Sequence, residues 1–348
     1  KYLIIMNDFW KNKNVLITGH TGFKGSWLSF ILHHLGSKIH GLSKAEKNGV
    51  YEDVKLANLF TTEEFLDISK ENKKIKDYID SIKPQIVFHF AAQSLVPYAF
   101  KEPRETLETN IIGMFNILDS CNQNNDIQTL VISTTDKVYK NSSEWNKEDA
   151  ALGGNEFYSL SKVSSEGVIQ NFKDLYSRDN LNIGVVRSGN VIGGGDRGEN
   201  RILTDVLTAI LNEKKLKLRN PDGIRPWQDV RDSIKGYLDV AEFTYLKKTS
   251  EIFNLNSKPN NKYNVKTLVQ KYIDTWESNV EVEILKDNAL VESSELRLDS
   301  TKAMSTLSWA PRISIDKSIE NIVSWEKNNL ENNAINEMKK QVEDYFNS

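Results

Sequence analysis

Short apolar runs alternate along the chain with stretches whose apolar residues recur every three to four positions. That alternation predicts a parallel sheet wrapped by helices. Asn14-Val15-Leu16-Ile17-Thr18 reads as a first buried strand, and a helix follows through Trp27, Leu28, Ile31, Leu32 and Leu35. Gly36 stops this helix, because glycine takes the left-handed cap conformation without steric cost. Further strands are expected at Lys38 to Leu42, Glu64 to Ile68, Gln85 to Phe90, Thr129 to Ser133 and Ile183 to Arg187. Helices are expected over Lys73 to Ile82, ended by Pro84, over Pro103 to Cys121, and over Phe157 to Tyr176. Proline opens the second of these, where it is tolerated.

After about residue 190 the regular alternation weakens, and the remainder reads as a smaller region that closes over a substrate. Helices are expected there at Val230 to Leu246, Asn264 to Trp276 and Ser314 to Asn328, with a short strand at Phe253 to Leu255. Asn122 to Asp126 and Asn328 to Asn333 read as solvated loops or helix ends. At 348 residues the chain can bury a full core. A net charge of −3 speaks against a nucleic-acid or membrane-surface partner. Cys121 is the sole cysteine, so an intrachain disulfide is impossible and a cytoplasmic location is expected. No apolar run approaches the roughly 18 residues of a membrane span. The apolar start Lys1 to Met6 is too short for a signal peptide.

Between the first strand and its helix lies Gly19-His20-Thr21-Gly22-Phe23-Lys24-Gly25, a G-x-x-G-x-x-G loop. Glycines there let the backbone turn tightly against a pyrophosphate, and the helix N-terminus offers unpaired N–H groups and a positive dipole end. The strand before and the helix after favour a nucleotide loop over a bare glycine turn. Many NAD-binding sheets end strand two with an acid that holds the ribose. Here Gly41-Leu42-Ser43-Lys44 has none. Ser43 and Lys44 either accept a 2′-phosphate, which favours NADP, or are ordinary loop residues. Asp67 and Ile68 are candidates for adenine contact. Ala91 and Ala92 are small, as suits either a backbone passing under a cofactor or close packing alone.

Thr134-Thr135-Asp136-Lys137 follows a strand and so falls on the carboxyl edge of the sheet, where open α/β folds bind ligands. Thr135 can orient a sugar hydroxyl, Asp136 protonate a leaving one, and Lys137 serve as a base where a nearby cofactor and Lys162 depress its pKa; a strand-end turn with a surface salt bridge is the other reading. Downstream, Tyr158 and Lys162 sit four residues apart on one helix face. An ammonium beside a phenol favours phenolate, which can take a proton from an alcohol. Tyr-x-x-x-Lys alone is weak, and the motif gains meaning from its place after a nucleotide loop. Gln93, Asn190, Arg201, Arg219 and Arg225 are candidate substrate contacts, with Arg225 suited to a diphosphate and Arg201 and Arg219 weaker. Trp227 is expected in the core and His89 in a structural role. No cluster has metal-ligand spacing.

Together these segments resemble the extended short-chain dehydrogenases that act on nucleotide sugars, in particular the CDP-glucose 4,6-dehydratase family. The resemblance rests on Gly19 to Leu28, Val87 to Gln93, Asp136-Lys137, Gly189 to Asp196, Ile224 to Gln228 and Leu307 to Arg312. Departures are Thr135 for serine, Val138 for cysteine, no tryptophan after Asp196, the acidic run Gln228 to Asp232, and Leu290-Val291-Glu292. The resemblance implies an α/β fold, a Rossmann-like doubly wound parallel sheet over 1–190 and a smaller, interleaved α/β substrate-binding region over 191–348. It implies an NAD cofactor (NADP remaining open) bound by Gly19, Thr21, Gly22, Phe23, Lys24, Gly25, Asp67, Ile68, Ala91, Ala92, Tyr158 and Lys162. Catalysis falls to Thr135, Asp136, Lys137, Tyr158 and Lys162. A nucleotide-sugar substrate and a homodimer paired through the helices at Pro103 and Phe157 are implied too. A 4-epimerase, a dehydratase of another nucleotide hexose, and a non-catalytic cofactor-binding regulator are the alternatives.

Overall fold

A computed structural model describes residues 8–44, 47, 49–140, 145–257, 263–285 and 297–347. The Lys1 to Met6 run and Leu290-Val291-Glu292 lie outside them. The chain begins with the expected unit: β1 (Asn14–Thr18), α1 (Phe23–His34) and β2 (Lys38–Ser43). Gly36 adopts φ +83° just past α1, and the N–H groups of Gly36 and Ser37 return to the carbonyls of His33 and Leu32. There follow β3 (Thr62–Phe65), α2 (Asn72–Ile82), β4 (Ile86–His89), α3 (residues 103–123), β5 (Thr129–Ser133), α4 (Phe157–Leu175) and β6 (Asn182–Ser188).

Beyond β6 come α5 (Ile202–Leu211), α6 (Val230–Lys247), β7 (Glu251–Leu255), α7 (Val265–Trp276), α8 (Ile315–Leu330) and α9 (Ala334–Asn347). The seven strands form one parallel sheet in the order β7-β6-β5-β4-β1-β2-β3. The chain reverses direction of growth between β1 and β4, which opens a crevice at their carboxyl ends. This is the doubly wound α/β fold expected, and β7 joins it from well past residue 190.

Side chains alternate across the strands, as a two-faced buried sheet requires. Val15 and Ile17 pack with α1, α6 and α9, through Trp27, Ile234, Tyr237 and Met338. Leu16, Leu130 and Ile132 pack on the other face with α2, α3 and α4. A third cluster joins α5, α7 and α8 through Val206, Leu268 and Ile319. No helix among the described residues is long and apolar enough to cross a membrane.

Two expectations need correction. The third strand is Thr62–Phe65, not Glu64 to Ile68, because β2 pairs from His40 with Thr62 to Ser43 with Phe65. Leu66 and Ile68 then turn into the core instead of extending the ladder. The helix from Pro103 is not uniform either, since Glu108–Gly113 widens into a π-helical turn. There Asn110 donates to the Ser161 hydroxyl (2.8 Å) and to the Gln93 carbonyl (2.9 Å), while Ser165 donates to the Asn110 carbonyl (2.7 Å). Such turns recur where a side chain engages the helix ladder.

Candidate active site

A cleft of about 1300 Å³ runs along the carboxyl edge of the sheet. The glycine loop forms one wall. Gly19 has φ +74°, and a Cβ on it would lie 2.6 Å from the Ala91 nitrogen. A Cβ on Gly25 would run into the Gly19 carbonyl. The loop therefore lies backbone-to-backbone on the end of β4. Gly22 precedes α1 with no side-chain cap, so the first N–H groups of α1 stay available to an anion. Gly19, Thr21, Gly22, Phe23, Lys24 and Gly25 all line the cleft, and so do Ile68, Ala91 and Ala92. His89 is structural: its Nδ1 meets the Thr18 hydroxyl at 2.7 Å, and burial, then Lys162, pulls its pKa down to about 3.

At one end of this wall Thr21 and Ser43 share a hydrogen bond of 2.8 Å. Lys44 lines the cleft there and meets Glu105 at 2.9 Å and Asp67 at 3.5 Å. Asp67 lies just outside the lining, its carboxylate taken up by the Ser69 N–H and hydroxyl.

The second wall starts where β5 ends. Asp136–Val138 make a single 3-10 turn that Thr135 caps by accepting from the Lys137 N–H at 3.3 Å. The Thr135 hydroxyl also donates to Asp136 at 3.0 Å. Helix α4 is fixed at its start by Glu156, which accepts from the N–H groups of Tyr158 (2.6 Å) and Ser159 (2.7 Å). That cap sets Tyr158 and Lys162 one turn apart, both 7% exposed. Thr135, Asp136, Lys137, Tyr158 and Lys162 all line the cleft.

Burial pushes the Tyr158 phenol up to about 12, against the Thr135 hydrogen bond, which favours its anion. Lys162 donates to the Ser133 carbonyl at 3.4 Å, and burial and the Lys24 charge lower it to about 8. Lys24 donates to the Ser133 hydroxyl and to the Tyr237 phenol, each at 3.2 Å, and burial lowers it to about 8 as well. Two ammonium groups thus converge on one serine. Neither Ser133 nor Tyr237 is signalled by local spacing; Tyr237 arrives from α6, more than a hundred residues on.

Behind the wall, Arg187 Nε meets Glu166 at 3.0 Å, and Thr134 donates to the same carboxylate at 2.7 Å. This buried pair locks β6 to α4. Gln93, Asn190, Arg201, Arg219 and Arg225 also line the cleft. Arg201 pairs with Asp196 at 3.2 Å, and Arg219 is exposed. Gln93 donates to Thr106 at 2.8 Å. Trp227 belongs to the third core cluster and also touches the cleft. No group of three metal-ligating side chains occurs among the described residues.

A nucleotide loop, a Tyr-Lys helix and an Asp-Lys turn on one doubly wound sheet define the epimerase/dehydratase branch of the extended short-chain dehydrogenases. The family model described as GDP-mannose 4,6 dehydratase matches residues 16–322, and the chain belongs to this family of nucleotide-sugar dehydratases. Within it, CDP-glucose 4,6-dehydratase of Salmonella typhimurium is 35% identical over 93% of this chain and 93% of its own length. An epimerase from Methanothermobacter thermautotrophicus superposes with a TM-score of 0.82 at 21% identity, covering 95% of this chain and 97% of its own. UDP-glucose 4-epimerase from Stenotrophomonas maltophila, solved with bound NAD, gives 0.78 at 20% identity, covering 91% and 98%.

Proposed function

We propose that the protein is an NAD-dependent nucleotide-sugar 4,6-dehydratase that converts CDP-glucose to CDP-4-keto-6-deoxyglucose and water. The observation that carries this reading is the convergence of Thr135, Asp136 and Lys137 with Tyr158 and Lys162 in one cleft. An epimerase needs Tyr158 and Lys162, with Thr135 at the C4 oxygen, but has no use for Asp136 and Lys137. The 35% identity to the Salmonella CDP-glucose enzyme supports the choice of nucleotide and hexose.

The glycine cradle and the uncapped start of α1 fit a dinucleotide pyrophosphate. Gly19, Thr21, Gly22, Phe23, Lys24 and Gly25 would hold it, with Ile68, Ala91 and Ala92 along the adenosine half. A bound nicotinamide supplies a reversible hydride sink, so the reaction runs without net redox. Tyr158, as phenolate, takes the O4 proton while C4 becomes a ketone, and Thr135 holds that oxygen. The Lys162 ammonium favours the phenolate. The ketone acidifies C5–H. Lys137 takes the C5 proton, and Asp136 protonates the C6 hydroxyl, which leaves as water. As C6 is reduced, Lys137 returns its proton to C5; the proton held by Tyr158 balances the one given by Asp136.

Arg201, Arg219 and Arg225, with Asn190, would receive the diphosphate and nucleotide, which supports a smaller substrate-binding region within 191–348, interleaved with the first through β7. Two copies are inferred to pair through α3 and α4, where Ile112, Phe115 and Leu160 stand 51%, 43% and 42% exposed. The test of function is mass spectrometry of purified protein and NAD with CDP-, dTDP-, UDP- and GDP-hexoses. Loss of one water from CDP-glucose alone is expected. Water loss from another hexose nucleotide alone would move the specificity, and interconversion at C4 without water loss would make the protein an epimerase.

A further inference from the structure

Strand two ends without the acid that usually reads the ribose of NAD, and Lys44 stands there instead. A lysine in that place invites a 2′-phosphate, yet the structure gives this one other partners. Its ammonium lies 2.9 Å from Glu105, which α3 brings in, and 3.5 Å from Asp67. Glu105 is held from its other side by the Tyr98 hydroxyl at 2.6 Å. Lys44 and Glu105 both line the cleft beside Ser43, Thr21 and Ile68. Asp67 and its outer partner Lys70 (3.6 Å, 69% exposed) do not. The lining therefore offers a neutral pair and not a free cation.

The chemistry of that pair separates two ligands. A ribose 2′-hydroxyl can donate a proton to a carboxylate, whereas a 2′-phosphate carries only acceptors and a charge near −2. A phosphate would have to displace Glu105 from Lys44 and then face the displaced carboxylate. Resting on the nicotinamide-cofactor reading above, we infer that Glu105 is the ribose-reading acid of this protein. It is supplied by α3 in place of strand two and clamped by Lys44 and Tyr98, and it selects the unphosphorylated dinucleotide. Lys44 is then a positioning residue for Glu105 and not a phosphate ligand. The repulsive element is as much a part of such selection as the attractive one.

The test is direct titration of nucleotide-free protein with NAD and with NADP by calorimetry, for the wild type, Glu105→Gln, Tyr98→Phe and Lys44→Ala, with each variant's melting temperature recorded. Wild type is expected to bind NAD at least about tenfold more tightly than NADP, the scale set by like charges a few ångströms apart near a surface. Glu105→Gln should narrow that ratio about fivefold or more, mainly by improving NADP binding. Tyr98→Phe should move it the same way by less, and keeps the test open if Glu105→Gln folds poorly. Lys44→Ala should leave NADP no stronger relative to NAD. A ratio unmoved by both Glu105→Gln and Tyr98→Phe would overturn the inference. So would a wild type that binds NADP as tightly as NAD and loses it in Lys44→Ala, since Lys44 would then be the phosphate ligand. Binding of neither dinucleotide would overturn the cofactor reading and this assignment with it.

Discussion

Lys162 keeps an ammonium at a site only 7% exposed, and the site works against its own charge: burial and the neighbouring Lys24 lower its pKa from 10.5 to about 8. Between those values the unfolded chain holds more protons than the folded one, so stability rises with pH from about 8 to about 10.5 and the full cost is borne below pH 8. Lys162→Met should therefore abolish turnover yet stabilise the fold at pH 7, by on the order of 2–3 kcal/mol. Its advantage should fade as the pH approaches 10.5. Urea unfolding of both proteins at pH 7 and pH 10 reads this directly; a variant no more stable at pH 7 would mean that the fold compensates the charge. Lys137 is a different case, half-exposed on the single turn after β5. Lys137→Ala is expected to lower water loss from the substrate by about 10²–10⁴-fold, the usual range for a positioned base. NAD affinity should be unchanged by calorimetry, and unaltered turnover would remove Lys137 from the mechanism.

Helix α4 shows how an element converts a local signal into site geometry. Glu156 and Ser159 cap each other, and the first N–H that Glu156 receives is that of Tyr158 itself. Glu156→Ala should cost about 1 kcal/mol in urea unfolding, as lost caps do. It should also lower kcat more than it raises KM, because Tyr158 loses its register; an unchanged kcat would show that Arg187 and Glu166 alone hold the helix. Much of this organisation was legible in the chain. The Val15 to Ile17 run, the three glycines and the Tyr158–Lys162 spacing are local patterns, and local patterns survive folding. Helix α5 carries an equally local pattern, with Ile202, Val206 and Ile210 on one face, between segments that read as loops. The π turn at Glu108 was not legible, since it depends on Ser165 and Ser161 reaching Asn110 from another helix. Glu105 and Tyr237 were hidden for the same reason: tertiary folding, not spacing, brings them to the cleft.

For the molecule as a whole, two surfaces differ in character. The cleft gathers residues from β1 to α7, while the outer faces of α3 and α4 stay apolar around a shallow groove lined by Phe115, Val168 and Phe172. If two copies bury these faces, Phe115→Asp should halve the mass measured by light scattering, because a buried unpaired carboxylate is expensive. A wild type that scatters as a single chain would remove the pairing.

The sheet also has a calendar. Its strands are translated in the order β1 to β7, but β6 pairs with β7, which is made roughly sixty residues later. At ordinary elongation rates the ribosome needs about 3–12 s to cover that gap. During this interval β6 carries Arg187 and an open hydrogen-bonding edge, and the opposite face still waits for Met338 and Val342 from α9. A nascent chain of this topology exposes an edge strand to its neighbours on the polysome, and its yield in the cell depends on what shields that edge until β7 arrives.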